Sequence, residues 1–281
     1  MQRMAGQQMV SVYVGGGTPT SLSEEQFERL MAMTEKYLPM EQSKEFTVEA
    51  GRPDSITEGK LRSMKTHGVT RISINPQSMK EHTLELLGRK HTVEEIREKF
   101  MLARTLGFDN INMDLIAGLP EETLEDFKET LREVEALKPD SITVHTLVIK
   151  RASRLRKEQL EQGGEMREED ACIEPMQKEA EQFCRVHGYE PYYMYRQKNK
   201  AHTTRNTNQE NVAYAKPGKE CLYNIFIMEE LQSILALGSG GSSKIVFPEE
   251  NRMERVENVK SVDDYIGRID EMIRRKKESW R

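Results

Sequence analysis

Cysteine is scarce in this sequence: Cys172, Cys184 and Cys221 are the three copies, and nothing before Cys172 carries a thiol. They stand far apart and form no CxxC or CxxxC cluster. A low, odd count of this kind argues against a disulfide framework and suits free, buried thiols in a reducing compartment. Long apolar runs are missing as well. No stretch approaches the roughly 20 residues of a membrane helix, and the N-terminus has no signal-peptide core, so the expected location is the cytoplasm. A dominant charge sign is also absent. Forty-two Lys and Arg against 47 Asp and Glu leave a net −5 spread along the chain. That distribution gives no long-range field to gather nucleic acid, and no membrane contact is expected. Internal repeats and low-complexity segments are lacking too.

What remains is a chain of 281 residues with 36% hydrophobic and 32% charged composition. Its length allows a substantial core, as one large α/β domain or one domain with an appendage. The sequence is organised around Gly15-Gly16-Gly17-Thr18-Pro19, which directly follows the apolar run Met9 to Val14. Three residues without Cβ allow positive φ and close approach of a ligand to the backbone. A helix signal follows, with Ser23 as N-cap and Gln26 as its reciprocal partner. Strand, glycine loop and helix make a ligand-binding βα turn.

Further units repeat the alternation. Strands are expected at Glu45 to Ala50, Thr70 to Asn75, Asn110 to Ile116 and Ser141 to Val148, and Met9 to Val14 reads as buried on both faces. Helices follow Ser23, Thr57, Thr92 and Thr123. Their inner stripes are Phe27, Leu30, Met31 and Leu38; Leu61 and Met64; Ile96, Phe100, Ala103 and Leu106; and Leu124, Phe127, Leu131, Val134 and Leu137. Such alternation implies a parallel sheet or barrel. Beyond Lys150 the pattern changes. Arg151 to Arg167 reads as a charged helix with a hinge at Gly163-Gly164, and a longer helix follows from Glu168 to His187. Tyr189 to Tyr195 reads as a strand, Lys198 to Gln209 as a polar loop, Tyr223 to Phe247 as short β-prone runs, and Ser261 to Trp280 as a terminal helix.

Ligands collect at the C-terminal ends of parallel strands, where loops and helix N-termini converge. That rule selects Gly15 to Thr18, Glu49, Gln77, Asp114 and the Leu147-Val148 region. Glycine backbone and a carboxylate can hold an amino acid moiety, and an acidic strand-end residue can take ribose hydroxyls. Arg89 can pair with a ligand carboxylate. Each residue also has a plainer role: tight turn, helix cap, turn residue or solvated cation. A phosphate-binding α/β barrel using Gly238 to Ser243 is a further alternative.

Taken together, Val12 to Thr20 around GGGTPT, Val48-Glu49, Arg71 to Ser78, Leu87 to Thr92 and Asn112 to Pro120 resemble a known family. It is the radical S-adenosylmethionine enzymes of the oxygen-independent coproporphyrinogen III oxidase group. Tyr214 to Glu220 and Gly240 to Val246 look like its coproporphyrinogen dehydrogenase branch. The resemblance implies a partial (β/α)6 radical-SAM barrel lacking its first strand over residues 1–150, with a smaller α+β region over 151–281 completing the barrel and the substrate side. It also implies S-adenosylmethionine bound by Gly16, Gly17, Thr18, Glu49, Gln77, Arg89 and Asp114, with Val148 near the adenine. The implied chemistry is oxidative decarboxylation of coproporphyrinogen III to protoporphyrinogen IX through a 4Fe–4S cluster and a 5′-deoxyadenosyl radical. A tetrapyrrole substrate and, for the full-length enzyme, a reductant protein are its partners. Lys150, Arg151, Arg154 and Lys216 are candidate cations for the tetrapyrrole carboxylates.

One departure is decisive. The family holds its cluster with CxxxCxxC upstream of the glycine motif, and no cysteine stands there in this chain. Either the chain is N-terminally truncated, or it is a degenerate paralogue that binds S-adenosylmethionine or a tetrapyrrole without turnover. The first is favoured, because only a contiguous N-terminal block is missing. Met9 to Val14 is then expected at a sheet edge.

Overall fold

The computed structural model describes residues 8–146, 173–196 and 210–280. Val148, the charged Arg151 to Arg167 segment, Lys150, Cys172 and the whole Lys198 to Gln209 stretch lie outside the described residues. The expected division after residue 150 also falls there. Two compact units emerge, Val10–Cys221 and a second made of Met1–Met9 with Leu222–Arg281.

In the larger unit, β1 (Ser11–Val14), β2 (Glu45–Gly51), β3 (Arg71–Gln77), β4 (Ile111–Ala117) and β5 (Ser141–Thr146) pair in parallel in chain order. The strands β6 (Glu190–Arg196) and β7 (Glu210–Ala215) form a hairpin-like pair, and β7 joins β5 antiparallel. The resulting seven-stranded sheet has the order β1-β2-β3-β4-β5-β7-β6 and curls into the α/β half-barrel expected from the sequence. Among the described residues β1 is an edge, paired with β2.

The helices that cover the sheet start where the caps predict. Helix α1 (Glu24–Tyr37) opens with the Ser23/Gln26 capping box, α4 (Val93–Thr105) with Thr92/Glu95, and α5 (Leu124–Leu137) with Thr123/Asp126. Helix α2 (Glu58–Thr66) is capped by Thr57, and α3 (Glu81–Leu86) is one short stretch between β3 and α4. Their inner faces bury Phe27, Met31, Leu61, Met64, Ile96, Phe100, Ala103, Phe127, Leu131 and Val134 against Phe46, Val48, Ile72, Ile74, Ile111, Met113 and Leu115 of the strands. This apolar contact is the core. Helix α6 (Ile173–Val186) adds to it through Met176, Ala180 and Cys184.

Several expectations need correction. Strand β1 is not buried on both faces, since Val12 alone is buried, as suits an edge. Leu30, Leu38, Leu106, Leu124 and Leu137 are half-buried rather than interior, because they sit at helix ends or stripe margins, and Thr130 takes a buried place on α5. In the smaller unit, Leu222–Glu229 forms a helix, α7, although its Ile and Phe residues favour strands. Strand propensity counts only where a partner offers a ladder. There β8 (Ser242–Phe247) takes β9 (Arg252–Glu257), a strand the sequence reading missed. The terminal helix is divided at Gly267-Arg268 into α8 (Val262–Gly267) and α9 (Ile269–Ser279), glycine being a poor helix former.

The α5 cap carries a measurable pH dependence. The Thr123 hydroxyl and backbone N–H, then Lys80, hold the Asp126 carboxyl down to about 2 from 3.8. The lowered pKa means that this stabilisation is full above about pH 4 and is lost as pH falls through about 2. Urea titrations are therefore expected to show Asp126→Asn flattening the acid limb of stability. Thr123→Ala should cost about 1 kcal/mol at neutral pH.

Candidate functional site

Strand alternation gives the sheet two chemically different faces. Phe46, Val48, Ile72, Ile74, Met113, Leu115, Ile142 and Val144 face the helices. The intervening residues Glu45, Thr47, Glu49, Arg71, Ser73, Asn112, Asp114, Ser141, Thr143 and His145 share the other, concave face. Hydrogen bonds across strands confirm the shared face. Arg71 Nη2 donates to Ser141 Oγ at 3.1 Å, reaching from β3 past β4 to β5. The sheet thus curls around a polar lumen whose floor lies at the strand N-termini.

At the upper rim, the turn after β1 is built around Glu49. The Tyr13 hydroxyl donates to Glu49 Oε1, and the Gly16 N–H donates to Oε2 at 3.2 Å. Burial and the adjacent Glu49 carboxylate raise the Tyr13 pKa, which keeps the phenol a donor. Gly16 and Gly17 adopt φ of +90° and +71°, and both are exposed, as is Gly15. A Cβ on Gly15 would run into Tyr13 Cε1 and stand 2.8 Å from Glu49 Cδ, so this glycine is needed for the approach of the pair. Thr18 is half-buried and lies 3.2 Å, by its Cγ2, from where a Cβ of Gly51 would stand. Glu49 does not cap the next helix, a role that belongs to Thr57.

Gln77 closes β3 in a left-handed conformation with φ of +70°, beside an irregularity in the β3–β4 pairing. A non-glycine residue is held there when its surroundings over-determine it. Its neighbour Ser78 donates to Glu122 Oε1, clasping the exits of β3 and β4. Arg89 follows α3 and is half-buried. Burial, then the charge of Arg52, lower its pKa, while Asp54 opposes them. Asp54 accepts from Arg52 at 2.9 Å and lies 3.7 Å from the buried His91. Arg89 is therefore no isolated surface cation. It belongs to a cationic group at the rim beyond β2.

Asp114 sits on β4 in the lumen. Its Oδ1 accepts from Asn112 Nδ2 at 2.7 Å, and its Oδ2 lies 3.7 Å from Nε2 of His145 on β5. Asn112 is fixed in turn, its Oδ1 accepting from Ser141 Oγ at 3.0 Å and Thr143 Oγ1 at 3.1 Å. Burial disfavours both charges, yet their mutual attraction prevails, lowering the Asp114 pKa and raising that of His145. The structure thus brings Gly16, Gly17, Thr18, Glu49, Gln77, Arg89 and Asp114 to strand exits or the lumen of one sheet. Val148 is outside the described residues. Sequence reading missed Tyr13, Asn112 and His145, though polar residues at every second position of β2 to β5 signalled the lumen.

Comparison with known proteins fits this geometry. A family model described as the radical SAM superfamily matches residues 1–134. The chain is also 44% identical, over 263 residues, to the oxygen-independent coproporphyrinogen-III oxidase-like protein HemZ of Bacillus subtilis (strain 168). Residues 1–134 thus carry a radical SAM domain. The HemZ alignment covers 93% of the chain and 51% of the relative, so the chain spans about half the length of that protein. Similarity to the heme chaperone HemW of the same organism is 39% over 140 residues, 50% of the chain and 37% of HemW. Coproporphyrinogen III oxidase (HemN) from Escherichia coli shares the fold, with a TM-score of 0.69 at 21% identity, covering 96% of this chain and 60% of HemN.

The radical SAM family implies S-adenosylmethionine and a 4Fe–4S cluster. The described residues do not fit the cluster. Burial pushes the Cys184 thiol up to about 12, away from the thiolate a cluster needs. Cys221 is buried and donates to Glu45 Oε1 at 3.5 Å. Among the described residues no group of three or more His, Cys, Asp or Glu side chains is arranged to hold a metal ion. Among them, too, no helix is long and apolar enough to cross a membrane.

The Asp114–His145 pair makes a testable prediction. His145 is expected to titrate above its ordinary 6.5, and NMR should show its pKa falling in Asp114→Asn. The pair's contribution to stability is present below 6.5 and lost as pH rises through the raised value.

Proposed function

We infer that this chain binds S-adenosylmethionine at the strand C-termini and serves the coproporphyrinogen-oxidase type of radical SAM chemistry, with a carboxylate-bearing tetrapyrrole as substrate. The observation that carries the reading is the Glu49 carboxylate, fixed by Tyr13 and Gly16 beside an exposed glycine turn. S-Adenosylmethionine carries an ammonium, a carboxylate and a ribose diol. Glu49, held by the Gly16 N–H, suits the ammonium, and the amides of Gly17 and Thr18 suit the methionine carboxylate. Gln77 and Arg89 serve the rim around the nucleotide, and Asp114 is an acceptor for ribose hydroxyls. Val148 is assigned to the adenine by motif alone.

The names of the relatives supply the substrate class. HemZ and HemN are named for coproporphyrinogen oxidation and HemW for heme. Oxidative decarboxylation of coproporphyrinogen III is the reaction proposed, with a reductant protein as partner and the cytoplasm as its compartment. No step through the cluster is derived, since the residues do not fit one. A second reading, binding of S-adenosylmethionine or a tetrapyrrole without turnover, is favoured by that misfit together with the HemW similarity. The division into a barrel over 1–150 and a substrate-side extension over 151–281 is part of the proposal.

Isothermal titration of the 281-residue chain with S-adenosylmethionine tests the reading. Saturable binding, weakened about tenfold or more in Glu49→Gln as expected for loss of a charged hydrogen-bonded contact, supports it. No affinity for S-adenosylmethionine would overturn it. Titration with coproporphyrin III then tests the tetrapyrrole, and anaerobic iron–sulfur reconstitution is expected to leave the chain colourless.

A further inference from the structure

Resting on the S-adenosylmethionine reading, the inference concerns the gap between Asp114 and His145, on which no relative's name bears. Asp114 Oδ1 is occupied by Asn112 Nδ2, and Asn112 cannot turn away because Ser141 and Thr143 both donate to its Oδ1. The carboxylate is therefore aimed, with Oδ2 facing His145 Nε2 at 3.7 Å. That separation is too long for a direct hydrogen bond. It is short enough for one oxygen atom to stand about 2.8 Å from both. The two side chains are 20% and 35% exposed, so the gap is reachable from the lumen.

The chemistry of the gap selects its occupant. Asp114 only accepts, and His145 Nε2–H only donates. An ether or carbonyl oxygen would satisfy His145 alone, an ammonium would satisfy Asp114 alone, and a carboxylate would be repelled by Asp114. A hydroxyl does both jobs at one atom. Asn211 on β7 also hydrogen-bonds the His145 imidazole, while its Oδ1 accepts from the Thr146 N–H at 3.2 Å and so anchors the end of β5. We propose that Asp114 and His145 form a clamp for a single ligand hydroxyl, which on the S-adenosylmethionine reading is one hydroxyl of the ribose diol, and that His145 is a ligand-contacting residue.

The clamp is tested by the ratio of affinities for adenosine, 2′-deoxyadenosine and 3′-deoxyadenosine, measured by NMR shift titration alongside calorimetry with S-adenosylmethionine. The native chain should bind adenosine about tenfold more tightly than one of the two deoxy forms, as expected for a hydrogen bond to a charged group. His145→Phe should clearly lower that ratio, leaving only the Asp114 contribution, and His145→Gln, which keeps a donor, should lower it less. A variant that only loosens the fold would weaken all three nucleosides alike and leave the ratio unchanged. An unchanged ratio in His145→Phe, or no discrimination in the native chain, sinks the clamp while S-adenosylmethionine binding stands. Failure of S-adenosylmethionine to bind sinks both.

Discussion

The arrangement depends on one buried polar chain, Arg71 to Ser141 to Asn112 to Asp114, running up the concave face of the sheet. A parallel sheet is normally apolar on both faces because helices cover both. Here helices cover one face, and the other is lined with Glu, Thr, Arg, Ser, Asn, Asp and His. Removing such groups from water without partners costs more than most single contacts return. The network offsets that cost, and it does so by spanning strands, which ties the curvature of the sheet to the positions of the side chains. Stability itself comes from the opposite face, where Phe46, Phe100, Phe127 and their neighbours are shielded from water. The two faces divide the work: one holds the barrel together and the other presents polar groups to a ligand.

That division explains which features were legible in the sequence. The capping boxes at Ser23, Thr92 and Thr123 involve residues three apart, so local chemistry suffices to place the helix starts. The glycine turn was equally legible, because positive φ at Gly16 and Gly17 is a local demand. Glu49 was found by position, but its fixing by Tyr13 was not, since that bond joins residues on two strands brought side by side only by pairing. His145 escaped for a different reason. Candidates on its strand were sought only at the Leu147-Val148 end, although Ser141, Thr143 and His145 mark every second position with a polar group. The failures in the smaller unit have a tertiary cause. Leu222–Glu229 has strand-like composition, but the outer edge of β8 is taken at Lys244 by a bridge to Ile234, and the segment satisfies its backbone locally as a helix.

The positions of the rim residues also bear on what the proposed binding would owe to a cluster. Glu49 belongs to β2, Gln77 to β3 and Asp114 to β4, while the turn at Gly16 hangs from β1. None of them is positioned by a cysteine. On the proposed reading, a ligand with an amino acid at one end and a nucleoside at the other would engage such a rim as two linked fragments, and once one end was seated the other would bind at high effective concentration. The strands hold the two subsites rigidly, so little ordering cost opposes that gain. Removing a third anchor, such as coordination to an iron, lowers the total affinity without disturbing the geometry of the other two. On that reading the glycine turn and the Asp114–His145 pair would hold the two ends of the ligand independently of the redox chemistry.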